Sequence, residues 1–238
     1  MKKLLVLLGI MLSFGLNSCL YGVNCTHGNG KIVVKEVNLS KVSGVDFELS
    51  GDVYIYKGSE QKITYETDEN IFPLIENKVE KGILEIDSKE SICPTKFIVN
   101  ITVSDLTHVE IDGSGDIIIK DEFNTPMITL KIDGSGDITA KSIITDKCDM
   151  SIDGSGDIDV KGKSKLTTAE IDGSGDINTV GLESSIVYAE INGSGNIYLN
   201  VKNELNAKIN GSGSIGYVGN PEVLKQKING SGNIYRMK

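Results

Sequence analysis

Eight aspartates recur at two fixed places in a repeated heptad, and their spacing poses the first chemical question. Asp112, Asp133, Asp153 and Asp172 hold the second position of Ile-Asp-Gly-Ser-Gly-Asp-Ile, and Asp116, Asp137, Asp157 and Asp176 the sixth. If successive copies stack as strands do, each aspartate lies about 5 Å from the next. Neighbouring carboxylates at that distance repel by about 1 kcal/mol in a water-like medium. Two arrangements offset this. Each carboxylate can accept backbone N–H bonds in an Asx turn around Gly-Ser-Gly. The later copies fit this, because Asn192, Asn210, Asn229, Asn196 and Asn233 make the same turn without charge. Alternatively, Ca²⁺ gathers clustered carboxylate oxygens. Calcium-binding nonapeptide repeats also have Gly-rich turns, but their period is different. The aspartates are therefore expected to be structural, with a Ca²⁺ ladder as the alternative and no other cofactor.

Other chemistry is sparse. An active site is one local departure from a repeat, whereas these carboxylates return copy after copy. The histidines are His27, close to the N-terminus, and His108, at the start of the first copy, and Arg236 is the one arginine. No Ser/His/Asp set or metal-ligand spacing stands out. The chain is accordingly read as a non-enzyme, a polysaccharide-active enzyme being the least favoured alternative. A binding role needs exposed groups, and Tyr198 and Tyr235 are expected to point outward in one column two copies apart. Such rings can stack on a sugar or a peptide.

The elements that must carry these residues follow from the repeat itself. The heptad starts at Ile111, Ile132, Ile152, Ile171, Ile191, Ile209 and Ile228, with spacings of 21, 20, 19, 20, 18 and 19 residues. Two residues before the first Ile stand Val109, Leu130, Met150, Ala169, Ala189 and Ala207, and between them mostly Glu, Lys or Ser. Alternation of this kind marks strands with one buried face. A period near 20 with strand alternation predicts one β-helix coil per repeat, about seven coils in all. The fold expected is all-β: a right-handed parallel β-helix over 107–238, preceded by a β-rich section over 31–106. That section holds a divergent copy, Phe47-Glu48-Leu49-Ser50-Gly51-Asp52-Val53, and strands at 52–57, 62–66, 82–87 and 96–103. Cys148 falls in an inward column beside Ile128 and Thr167 and is expected to be buried and inert. In the last coil Gln226 and Arg236 replace apolar residues, as in the end caps that stacked repeats need.

The N-terminus bears on location. Lys2 and Lys3 precede an apolar run from Leu4 to Leu12, too short to span a bilayer and suited to a signal peptide. Leu16-Asn17-Ser18-Cys19 follows and resembles the lipobox of bacterial lipoproteins. This implies cleavage after residue 18, lipid on Cys19 and membrane anchoring, with Leu20 favouring the outer membrane. Residues 19–30 are read as a tether. Of the remaining cysteines, Cys25 and Cys93 both lie in loop-like sequence and are a candidate disulfide. Loss of the leader removes two positive charges and takes the net charge from −9 to −11. So acidic a chain, with one arginine, excludes nucleic acid as a partner. The partners expected are the membrane, through the lipid, and a glycan or protein ligand.

The repeated Asp-Gly-Ser-Gly-Asp-Ile, with Val45–Val53 and Glu66-Thr67-Asp68-Glu69-Asn70-Ile71 upstream, resembles the GIN-type head domain of autotransporter-type adhesins. The resemblance covers about residues 36–238. It implies a right-handed β-helix and offers no catalytic residues to carry over. The reading that results is a cell-envelope lipoprotein with a non-catalytic adhesion or binding role. A periplasm-facing structural protein is the alternative.

Overall fold

The computed structural model describes residues 24–238. The expected signal peptide, the lipobox-like stretch with Cys19 and the first part of the expected tether lie outside the described residues. The chain is a parallel β-solenoid of about six turns. The count differs slightly from the seven coils expected, and the all-β solenoid class is as expected. Between Asp116 and Gly211 each turn is one nearly continuous strand: Asp116–Gly134, Ile138–Gly154, Asp157–Gly173, Asp176–Gly193 and Asn196–Gly211.

Identical residues stack in register. Ile111, Ile132, Ile152, Ile171, Ile191, Ile209 and Ile228 form one column. Ile117, Ile138, Ile158, Ile177, Ile197, Ile215 and Ile234 form a second. Apart from the final coil, these residues are excluded from solvent. Each contributes roughly 1.5–3 kcal/mol of burial. Phe47 and Val53 extend the two columns by one coil, so the divergent upstream copy is a true member of the stack.

The two glycines of each heptad do different work. The first takes a positive φ, for example +141° at Gly154, a conformation that side chains resist. The second is required by packing. A Cβ built on Gly156 would fall 2.0 Å from the carbonyl oxygen of Gly136, the equivalent residue one coil earlier. At a second corner, hydroxyls close the bend. Thr125, Thr145 and Ser164 are stacked and buried, and each donates to the carbonyl two residues on, at Met127, Lys147 and Leu166. That polar column inside an apolar core is satisfied locally.

The N-terminal section continues both sheets and then closes them. Gly44–Phe47 and Asp52–Lys57 stack in parallel on the first repeat coil. Beyond them Ile83–Ser88 and Phe97–Val103 each add one more parallel strand, and the pairing then turns antiparallel. Ile75–Glu80 and Ile83–Ser88 form a hairpin whose two-residue turn, Lys81-Gly82, has positive φ at both positions. On the other sheet Phe97–Val103 pairs with Lys62–Asp68, which pairs with Ile32–Val37. A 3₁₀ turn, Phe72–Leu74, with Pro73 inside it, leads into the first strand of the hairpin.

Residues 24–30, expected to be loose tether, are docked. Thr26–His27 pairs with Ile92–Cys93, and Cys25 and Cys93 form a disulfide with Cα atoms 5.7 Å apart. At the other end, every residue of Val223–Gly230 is exposed. Gln226 and Arg236 make this end more polar than an interior coil. Leu224 and Ile228 nonetheless leave apolar surface open, each being 43% exposed.

Candidate binding surface

The two aspartate columns stack as their spacing requires, and each solves the charge problem in its own way. In the second column the carboxylate reaches along the solenoid axis. Asp116 Oδ1 accepts the backbone N–H of Asp137, Asp137 that of Asp157, Asp157 that of Asp176, and Asp176 that of Asn196, at 2.8–3.1 Å. This is a bond between coils rather than the Asx turn expected within one. Each charge is thereby tied to the next coil's backbone, and Asn fits the same place. In the first column Lys131 donates to Asp133 at 2.5 Å, and Asn192 donates to Asp172 at 2.7 Å. Among the described residues, no three carboxylates bring oxygens within 4.8 Å of one another. Ca²⁺ on these columns would therefore need water or moved side chains to complete its shell of 6–8 oxygens.

Carboxylates crowd most at the N-terminal end. Glu85, Asp46 and Glu110 follow one another in a single outward column. Burial, then the charges of Glu110, Glu85 and Asp112, push the Asp46 carboxyl up to about 6, and its Oδ1 is buried without a hydrogen bond. Lys131 closes the column, donating to Glu110 at 2.7 Å. Its hydrogen bonds to Asp133 and Glu110 hold its ammonium well above the usual range. His108 contacts Glu110 at 3.0 Å.

Tyr198 and Tyr235 do share a column, with Gly216 between them. A Cβ on Gly216 would meet both rings at 3.2 Å, so the two tyrosines fold over the glycine and cover its bare backbone. Tyr198 is half-buried by this, and Tyr235 keeps an exposed edge.

A different aromatic stands free. Tyr188 is 47% exposed, the most open aromatic side chain among the described residues, and it forms one wall of a groove of about 360 Å³. The groove runs along the axis between two outward columns. One is Thr168, Tyr188, Asn206 and Lys225, and the other is Glu170, Glu190, Lys208 and Lys227. Its floor is sheet backbone over the small residues Ala169, Ala189 and Ala207. Lys208 pairs with Glu190 at 2.5 Å and Lys225 with Glu204 at 3.2 Å. Tyr188 escaped the sequence reading because its column is otherwise polar and nothing marks one tyrosine as freer than another. The usable signal was its place in an outward column beside charged residues of both signs.

The model of the family "Putative auto-transporter adhesin, head GIN domain" matches residues 29–221. The chain belongs to this family. Among solved structures, a putative adhesin from Bacteroides fragilis is 23% identical, with a TM-score of 0.83 over 89% of this chain and 99% of that one. A putative adhesin from Parabacteroides merdae is 24% identical, with a TM-score of 0.69 over 90% and 99%. A protein from Parabacteroides distasonis described as a putative lipid binding protein is 27% identical, with a TM-score of 0.77 over 89% and 99%. No curated protein matches the chain. GIN-domain membership accounts for the shared solenoid.

Proposed function

We propose that this GIN-domain protein is an envelope-anchored lipoprotein with a non-catalytic adhesion role, and that it holds an extended ligand along the Tyr188 groove. The observation that carries this is the groove itself. It joins one exposed aromatic ring to carboxylate, amide and ammonium groups on a flat, long and regular face. A ring of that kind packs against the flat side of a sugar or peptide, while the flanking groups bond its polar edges. Tyr198 and Tyr235 form a secondary contact near the same end of the solenoid. The lipobox ending in Cys19 supports attachment to the outer membrane, and the family's adhesin description supports a role at the cell envelope.

Two measurements test this reading. Protease shaving of intact cells, with a periplasmic protein as control, should remove the mature chain while the control survives. Protection until the outer membrane is opened would exclude adhesion and favour a periplasm-facing structural role. Binding of purified protein to arrayed glycans and host-surface proteins should then be lost in Tyr188→Ala and retained in a surface variant remote from the groove, such as Lys35→Ala. Release of new reducing ends from a bound glycan would replace adhesion with catalysis.

A further inference from the structure

The disulfide at the N-terminal end has a third member. Cys25 and His27 alternate onto one side of their short segment, and His27 is the direct parallel partner of Cys93. Their ligand atoms, Cys25 Sγ, His27 Nε2 and Cys93 Sγ, all lie within 4.8 Å of one another, with Sγ of Cys25 4.0 Å from Nε2 of His27. His27 is exposed and both cysteines are partly so, which leaves one side open to water. We propose that these three residues form a binding site for a thiophilic divalent ion, Zn²⁺ in the first instance, that is closed by the disulfide and opened by its reduction.

The geometry fits that ion. Zinc–sulfur bonds of about 2.3 Å and zinc–nitrogen bonds of about 2.0 Å at tetrahedral angles place the ligands roughly 3.5–3.8 Å apart. With the S–S bond broken, the two sulfurs must separate to reach this spacing, and His27 needs to approach Cys25 by only a few tenths of an ångström. Neither adjustment disturbs the solenoid, because Thr26–His27 and Ile92–Cys93 form a small sheet of their own. The fourth position is left for water. Flanking bonds hold the segment in place when the disulfide is open. The Asn70 side chain donates to the His27 carbonyl at 2.9 Å, and the Gly30 N–H donates to Asp68 at 2.7 Å.

The chemistry balances with one two-electron reductant. A phosphine breaks the S–S bond, each sulfur gains one proton from water, and the phosphine leaves as its oxide with the water oxygen. In the cell a dithiol supplies the same two electrons and two protons and becomes a disulfide. The metal ion then displaces the two thiol protons, and neutral His27 adds its nitrogen lone pair.

The test uses the full mature chain and Co²⁺ as a coloured stand-in for zinc. After reduction with tris(2-carboxyethyl)phosphine, a Co²⁺ titration should give thiolate-to-metal absorption in the near ultraviolet that saturates at one equivalent. One equivalent of Zn²⁺ should then bleach it. The oxidised wild type, folded by the same solenoid, should show no such band. His27→Ala should weaken binding at least tenfold, and Cys25→Ser with Cys93→Ser should abolish it, with unchanged far-ultraviolet circular dichroism in each. The proposal fails if reduced wild type takes up no more metal than the oxidised protein. It also fails if His27→Ala binds as tightly as wild type.

Discussion

Replacing the second glycine of a heptad with alanine asks whether stacking, rather than turn conformation, demands that residue. Gly156 lies in the corner between two strands and has no positive φ, so alanine there carries no intrinsic backbone strain, and by restricting the unfolded chain it would ordinarily stabilise by about 0.4–1 kcal/mol. The structure predicts the opposite. The new Cβ would sit 2.0 Å from the Gly136 carbonyl oxygen and 3.1 Å from Cγ2 of Ile132. An ordinary carbon–oxygen contact is more than 1 Å longer, so two coils must part by about that much at this corner. The Ile columns beside it and the inter-coil hydrogen bonds loosen together, a core-strain event of about 3–5 kcal/mol. Gly154→Ala should cost at least as much, because it adds a φ of +141° to a 2.1 Å overlap with the Gly134 carbonyl. Gly30→Ala is the comparison. It carries a positive φ of +76° with nothing within 4 Å, so it isolates conformational strain, about 1–2 kcal/mol. Urea unfolding followed by far-ultraviolet circular dichroism ranks the three. A midpoint for Gly156→Ala at or above that of Gly30→Ala would refute the stacking argument.

Three further outcomes follow from the same geometry. Asp46 titrates near 6 in the folded chain against 3.8 unfolded, so its favourable contribution is full below pH 4 and is lost as pH rises through 6. Asp46→Asn should therefore raise the melting temperature at pH 8 and leave it nearly unchanged at pH 4, as scanning calorimetry at the two pH values would show. Asp157→Asn should be close to neutral, because an amide oxygen accepts the Asp176 N–H equally well. Asp157→Ala should cost about 1 kcal/mol, and the wild-type melting temperature should be the same in millimolar Ca²⁺ and in chelator. Cys148 is fully buried, and burial followed by the charge of Asp149 pushes its thiol up to about 12. Maleimide should leave it unlabelled in the native state and label it once urea unfolds the chain, with mass spectrometry as the readout.

The stack was legible in the sequence because a solenoid turns a long-range problem into a local one. Each coil's neighbour is the next repeat, so the spacing of Ile111, Ile132 and Ile152 already states which residues touch. The divergent copy at Phe47–Val53 was legible for the same reason. The ends were not. Ile32–Val37 pairs antiparallel with Lys62–Asp68, and the hairpin at 75–88 joins the stack through a parallel pairing of Ile83–Ser88 with Gly44–Phe47; these strands share no motif, and only tertiary packing sets the partners. The segment from 24 to 30 reads as loop by composition, yet Asp68 organises it from a distance. Burial raises the Asp68 pKa, but bonds from the Thr95 hydroxyl and from the N–H groups of Thr95, Gly30 and Lys96 outweigh this and hold it below the ordinary value. At the surface the tyrosines divide for a reason visible only in three dimensions. Tyr198 and Tyr235 have a glycine to cover, and Tyr188 does not.

The docked N-terminal segment also determines how the molecule would transmit a pull. Tension entering from residue 24 meets the Cys25–Cys93 crosslink first and passes by way of Cys93 into the strand Phe97–Val103 beside it, which lies within the sheets. From there a load directed towards the Tyr188 groove runs along the solenoid axis, perpendicular to the strands. The backbone hydrogen bonds between two coils then stretch side by side and share the force, instead of parting one after another as in a peeled hairpin. The weakest link in such a series is an interface between coils, and the Asp116-to-Asn196 chain of carboxylate bonds reinforces four of these interfaces in succession.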